Sequence, residues 1–357
     1  VFTLMLPFMG TLRVAANATR ISQRMQYSVA AEEIAQSTLN ILLFALFYLL
    51  GWELMGAVVS TVLSYIAALG VALYFVRRLF REAFQAPSRS AVTPRQMVAF
   101  SAPTSLADIS GVIISRADRI FLGLYWPSAE VGIYQAAAQI SIIMAAILSA
   151  FNMILMPMIA EQFHKKDMRQ LEELYRVNTK WGIYCIAPLV LVIAFAAEDV
   201  MHVTFGAAYT AGAMTLLILT LGQFINIATG ATGTILIMTG HQTAWFRLNL
   251  VVLAANLVLN LTLVPRWGMI GAAIATATTV GGLFTVSLII VKHSLDLWPY
   301  DRRYIKGVVA WLGAAVLLLG VRLLALSPLS NLLLTATVAT AGFFGLLILL
   351  GLDPEDR

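Results

Sequence analysis

Trp267-Gly268-Met269-Ile270-Gly271-Ala272 opens an apolar run that continues to Val291. The same signature stands 215 residues earlier, as Trp52-Glu53-Leu54-Met55-Gly56-Ala57. At that offset Thr61 falls on Thr276 and Arg77 on Lys292. Each signature joins two apolar runs, 32–50 to 54–76 and 245–264 to 269–291. The two copies are offset by six spans, an even number, so both have the same orientation. That predicts a parallel repeat about an axis along the membrane normal, one of the plans on which transporters are built.

The rest of the chain fits a membrane. Of 357 residues, 60% are hydrophobic and 11% charged. Soluble domains run near a quarter charged, and disordered chains lack this much apolar surface. Hydrocarbon about 30 Å thick needs ~20 apolar residues per helix. Besides the four runs above, such segments occur at 1–17, 97–125, 130–160, 177–197, 213–238, 305–325 and 330–351. The runs are continuous and too long for the ~10-residue alternating strands of a membrane barrel. The fold class read from sequence is all-α membrane, with about eleven transmembrane helices. Cys185 is the single cysteine, so neither a disulfide framework nor a cysteine metal site is available.

Basic residues set the orientation. Nineteen of the 23 lie at alternate connections: after the first span (Arg13, Arg20, Arg24), the third (Arg77 to Arg95), the fifth (Lys165 to Lys180), the seventh (Arg247), the ninth (Lys292 to Lys306) and the last (Arg357). The opposite connections hold Arg266 and Arg322, while Arg116 and Arg119 lie within the fourth span. This alternation predicts a multi-pass membrane protein with a cytoplasmic C-terminus. The net charge of +5 comes from these loops and is no sign of nucleic acid. Trp52, Trp126 and Trp267 sit at short outer turns, as an aromatic belt would.

The repeat divides the chain. Residues 1–77 read as the second half of an N-lobe with three helices, and 78–96 as a cytoplasmic linker. Residues 97–293 form a six-helix C-lobe, and 294–357 hold two extra helices and a tail. The first lobe is thus incomplete. A matching copy would begin more than a hundred residues upstream of Val1, so a longer native chain is expected.

Several stretches resemble a known family. Ala117-Asp118-Arg119 followed by Gly132-Ile133-Tyr134-Gln135-Ala136-Ala137 resembles its seventh and eighth helices. Asn152 with Met156-Pro157-Met158-Ile159-Ala160 resembles the end of the eighth, Thr239-Gly240-His241 the inner turn after the tenth, and Trp267 to Ala272 the entry to the twelfth. In this order, with six plus six plus two helices, the chain resembles the Wzx-type polysaccharide (O-antigen) flippases of the multidrug/oligosaccharidyl-lipid/polysaccharide exporter superfamily. The resemblance implies two six-helix lobes, alternating access, and export of isoprenoid-diphosphate-linked oligosaccharide from the cytoplasmic to the outer leaflet. That export feeds cell-surface polysaccharide synthesis and implies a place in the bacterial plasma (inner) membrane. It implies no enzyme activity and no cofactor. The partners implied are the lipid-linked oligosaccharide, membrane lipids, and a polysaccharide polymerase or other assembly-pathway proteins, with no nucleic acid.

The fourth span holds the most chemistry. Charges in hydrocarbon are costly and usually face a cavity or a partner. At about 100° per residue, Ser101, Asp108, Ser115 and Arg119 fall on one helical stripe. Arg116 lies about 80° to one side and Asp118 about 80° to the other. Arg119 and Arg116 are the candidate diphosphate ligands, because a guanidinium fork pairs two phosphate oxygens. Neutralisation by the aspartates, or snorkelling to the outer interface, is the competing role. Asp108 is a candidate cation or proton site, or an arginine's partner. Amides follow at Gln135 and Gln139, at Gln223 and Asn226, and at Asn249, Asn256 and Asn260. They suit sugar hydroxyls and equally serve as interhelical glue. Tyr134 can stack on a sugar ring or anchor at the interface. Pro103 and Pro188 mark candidate kinks, and loop 161–176 reads as an amphipathic segment on the inner surface.

A cation-coupled multidrug antiporter of the same superfamily is the alternative function, with Asp108 as coupling residue. A membrane polymerase or ligase would need paired carboxylates or histidine in a large extramembrane loop. The longest loops offer His164 and scattered glutamates. There is no metal-ligand cluster and no nucleophile triad.

Overall fold

The structure is a computed structural model, which describes residues 5–20, 25–81, 93–322, 324 and 327–351. The protein is an all-helical membrane protein. Nine helical stretches among the described residues are long and apolar enough to cross a membrane. The 54-residue α10 (Gln242–Leu295) contains two passes divided at Gly268, and α1 (Met5–Arg20) is a shorter helix on the first apolar run. Each apolar segment of the sequence therefore has its helix.

The chain forms two compact units that meet at Thr93–Pro94. The first contains α1, α2 (Met25–Val29), a π-helical stretch Ala30–Ala35, α3 (Gln36–Leu49) and α4 (Glu53–Leu79). Small residues make its core: Ala15, Ala31, Ala68 and Ala72 surround Leu12. The second contains α5 (Pro94–Tyr125), α6 (Ser128–His164), α7 (Met168–Phe205), α8 (Ala213–Ala228), α9 (Thr232–Met238), α10, α11 (Tyr304–Val321) and α12 (Pro328–Leu349). Exposed apolar side chains such as Leu250, Val251, Val258 and Leu261 cover the outside of α10, as a lipid-facing surface requires.

Each signature motif has a positive-φ glycine beside its tryptophan, on opposite sides: Gly51, with φ +76°, precedes Trp52, and Gly268, with φ +54°, follows Trp267. The next conserved step of the motif is a close approach. A Cβ on Gly56 would lie 2.9 Å from Cβ of Phe47 on α3. A Cβ on Gly271 would lie 2.4 Å from the Leu263 carbonyl oxygen. In both hairpins glycine lets the returning helix press on its predecessor. Near the break at Gly268 the Trp126 indole donates to Val264 O at 2.8 Å. Trp126 is thus a structural cap, whereas Trp52 and Trp267 are exposed as belt residues would be.

Two expectations change. Loop 161–176 is almost all helix, with a turn limited to Lys165–Asp167. Asp167 caps α7, accepting from the Gln170 N–H at 3.0 Å, and Leu171 and Tyr175 are buried in a core cluster. The periodic apolar residues that suggested a surface segment are the first turns of α7. In the same helix the non-helical backbone falls at Ala196, not at Pro188, and α5 runs unbroken through Pro103. A proline in lipid costs little where its freed carbonyl finds another partner.

The last two helices pack on α7. Gly307 of α11 approaches the Tyr184 ring so closely that a Cβ would sit 2.4 Å from it. Phe343 of α12 meets Tyr184 edge-on at 5.8 Å, and Asn331 donates to Asp199 at 2.6 Å.

Candidate functional site

Within the second unit, α5, α6, α8 and α10 enclose a cavity of about 490 Å³. It joins a smaller one of about 250 Å³ that reaches α9, and Asp108, Asn226 and Trp245 line both. The α5 wall is one helical face: Ala107 and Asp108, then Gly111 and Val112, Ile114, and Asp118 with Arg119. This face is centred between Asp108 and Asp118. Arg116 falls roughly 120° from that centre at 100° per residue. It is exposed and lies outside the cavity lining, so the cavity receives Arg119 alone of the two arginines. The Ser115 side chain lies outside the described residues.

One end of the cavity is built on Asp118, which is 2% exposed. Its carboxylate accepts hydrogen bonds from the Tyr134 hydroxyl, from the Thr276 hydroxyl at 3.3 Å and from the Arg119 backbone N–H at 2.7 Å. Arg119 supplies the nearby positive charge, and its Nε is buried without a hydrogen-bond partner. Tyr134 is wholly buried. Its hydroxyl holds Asp118, although its ring still lines the cavity.

The amides separate into two groups. Gln223 and Asn226 line the cavity, with Asn226 Nδ2 donating to Gln223 Oε1 at 3.2 Å. Asn256 lies outside it, donating to Thr279 Oγ1 at 3.0 Å and accepting from Asn260 at 3.1 Å. It stitches the two passes of α10 together. Gln135 and Gln139 bond to each other at 3.3 Å on an exposed face of α6. Sequence reasoning missed Trp245, Phe284 and Thr276 as lining residues. The signal for Trp245 was its place four residues before Asn249, on the same stripe. Asn249 also lines the cavity, and its Nδ2 donates to the Trp245 carbonyl at 2.9 Å.

The α8–α9 span breaks beside the cavity. Gly230 has φ +72°, and a Cβ there would fall 2.1 Å from Thr179 Oγ1. The Thr232 N–H turns to the Gly230 carbonyl at 2.9 Å, which leaves the Ala228 carbonyl without its i+4 donor. Two tyrosines close the gap. Tyr175 of α7 donates to Thr229 O at 2.6 Å, and Tyr300, before α11, donates to Ala228 O at 2.8 Å. Burial pushes the Tyr300 phenol above its ordinary value, so it stays a donor throughout the physiological range. Tyr175→Phe is expected to cost about 1–3 kcal/mol by stranding a buried carbonyl, read as a lower melting temperature of the purified protein. An unchanged melting temperature would mean that water or another donor replaces the hydroxyl.

At its end near the α6–α7 turn, the unit also carries a mixed-charge groove lined by Asp167, Glu172, Glu173, Arg176 and Arg303. Arg303 pairs with Glu173 at 2.7 Å and Arg176 with Glu172 at 2.6 Å. Two of its three arginines are thus matched by carboxylates, and Arg169 is the third on its lining. Among the described residues no cluster of histidine, cysteine and carboxylates could hold a metal ion.

The family model described as polysaccharide biosynthesis protein matches residues 1–163, and the MatE model matches residues 103–262. A probable low-salt glycan biosynthesis flippase of Haloferax volcanii is 22% identical over 202 residues, 57% of this chain and 42% of that protein. A capsular polysaccharide biosynthesis protein of Staphylococcus aureus is 21% identical over 180 residues, 50% of this chain and 46% of that one. This chain spans less than half the length of these curated relatives. Among solved structures, a lipid II flippase, MurJ, in an inward closed conformation superposes with a TM-score of 0.63 at 12% identity, covering 96% of this chain and 72% of that one. The fold is therefore MurJ-like.

Proposed function

We propose that this chain, which belongs to the polysaccharide biosynthesis protein/MatE family of the multidrug/oligosaccharidyl-lipid/polysaccharide exporter superfamily, moves an isoprenoid-diphosphate-linked oligosaccharide from the cytoplasmic to the outer leaflet by alternating access. The family is one of transporters, not enzymes. The observation that supports the substrate class most directly is Arg119. It is the one cation lining the larger cavity among the described residues, and its Nε is buried without a partner. That buried Nε–H is a donor open to an anion beyond the neighbouring Asp118, and phosphate oxygens fit the planar guanidinium fork. Gln223, Asn226 and Asn249 line the same space and offer donors and acceptors to sugar hydroxyls. Asp108 faces the cavity as its second carboxylate. Alternating basic connections support a plasma-membrane protein with a cytoplasmic C-terminus, placed to hand its cargo to polymerase and other assembly proteins.

The test is a liposome assay that follows a diphosphate-linked oligosaccharide lipid from one leaflet to the other. Arg119→Gln is expected to lower the initial rate at least tenfold and Arg119→Lys to lower it less, with both proteins monodisperse. A full rate in Arg119→Gln would remove Arg119 from the substrate path.

The antiporter reading keeps one observation of its own. Asp108 lies close to two aromatic residues, Trp245 and Phe284, in the smaller cavity. Efflux of cationic dyes under a proton or sodium gradient, lost in Asp108→Asn and without lipid movement, would favour it.

A further inference from the structure

We infer that the smaller cavity is a sugar-ring subsite, with Trp245 as its stacking platform and Asn152 and Asn226 as its hydroxyl acceptors. The inference rests on the transport reading above and names which part of the substrate lies where.

The lining excludes a phosphate. Among the described residues no lysine or arginine lines this cavity, and its one charged residue is Asp108. Arg119 stands eleven residues further along α5, roughly 16 Å at 1.5 Å per residue. A diphosphate drawn to Arg119 would therefore leave the deeper cavity to the glycan.

Two buried acceptors call for donors. Asn226 is 8% exposed, and its Oδ1 has no hydrogen-bond partner although its Nδ2 donates to Gln223. Asn152 Oδ1 is likewise buried and unpartnered. An amide oxygen left bare at depth costs about 1–3 kcal/mol. Sugar hydroxyls and acetamido N–H groups are donors that would satisfy both. A quaternary or delocalised organic cation has no donor and would leave both oxygens bare.

The third element is the aromatic wall. Trp245 faces both cavities and tilts against Phe284 with ring centroids 6.2 Å apart. Behind it is Gly233 of α9, where a Cβ would lie 2.9 Å from the indole. That glycine gives the ring its seat. A pyranose has an apolar face of axial C–H bonds and an equatorial rim of hydroxyls. An aromatic plate beside two amide acceptors and a carboxylate matches both surfaces. The cavity, about 250 Å³, shares lining residues with the larger one of about 490 Å³, and together they fall in the size range of small-molecule sites.

The test compares two lipids on the purified protein in nanodiscs. One is a short-chain prenyl diphosphate carrying a disaccharide of N-acetylglucosamine, and the other is the same prenyl diphosphate without sugar. Wild-type protein is expected to bind the glycosylated lipid more tightly. Trp245→Ala should erase that advantage, an affinity loss of about tenfold, while changing the bare lipid by less than twofold. Gly233→Ala, which displaces the indole without touching a polar group, should reproduce part of the loss. Equal wild-type affinity for the two lipids, or equal losses for both in Trp245→Ala, would overturn the subsite and leave the transport reading standing. Binding of neither lipid, with Trp245-dependent binding of tetraphenylphosphonium, would overturn the transport reading and the subsite with it.

Discussion

Gly271→Ala is expected to prevent the second unit from folding to a monodisperse state. The added methyl would lie 2.4 Å from the Leu263 carbonyl oxygen and 2.7 Å from its carbon. These are backbone atoms of the preceding pass, joined to Gly271 through the short break at Gly268, so neither side can withdraw by a rotamer change. Overpacking a tight core costs about 1–3 kcal/mol and more where backbone must move. We expect at least the upper end of that range for alanine, and no folded protein for Gly271→Val. Gly56 is the internal control. It holds the equivalent place in the first unit, but its nearest neighbour, the Phe47 Cβ, lies farther off at 2.9 Å. Gly56→Ala should therefore be milder. Fluorescence-detected size exclusion with a thermal ramp reads both. Equal melting temperatures for the two variants would mean that the α10 hairpin can open without penalty.

The second large effect is expected at Asp118. Asp118→Ala removes the acceptor of the buried Tyr134 hydroxyl and the half-buried Thr276 hydroxyl, and the negative charge beside Arg119. Removing one partner of a buried charged group costs about 3–5 kcal/mol. Asp118→Asn keeps an acceptor and should cost less, and Tyr134→Phe less again. The charge contribution is separable. Adding Arg119→Ala to Asp118→Ala should restore part of the stability, because neither charge is then left alone. Strict additivity in that cycle would show that Asp118 acts through its hydroxyl partners only.

Hydropathy alone marked every long helix, because the membrane leaves the backbone few ways to satisfy itself. It did not reveal which helices run on. Apolar residues of 161–176 have the same period in a surface helix and in the first turns of a buried one. The charged stripe of the fourth span was legible, and it brought Asp108, Asp118 and Arg119 to one cavity. Choosing between Arg116 and Arg119 required the position of the face centre, and Asp118 sets that centre. Reading the stripe from Asp108 alone placed both arginines near it. The amides showed the opposite difficulty. Asn249 and Asn256 share a stripe, yet the first faces the cavity and the second meets Thr279 across the hairpin. Sequence periodicity gives a direction around a helix and says nothing of what waits there. The break at Gly230 had a faint signal in Thr229-Gly230-Ala231, but its closure by Tyr175 and Tyr300 depends on residues 54 and 72 positions away.

The Tyr300 contact gives the terminal hairpin a reach beyond its own packing. Its hydroxyl meets the Ala228 carbonyl beside Asn226 and Gly230, which line the smaller cavity. Tyr300 lies on the connection that leads into α11. A tug on that connection, from an antibody fragment, a fused domain or a docked neighbour, would be felt first at the floor of the chamber. The last two helices can therefore serve as an external handle on the interior.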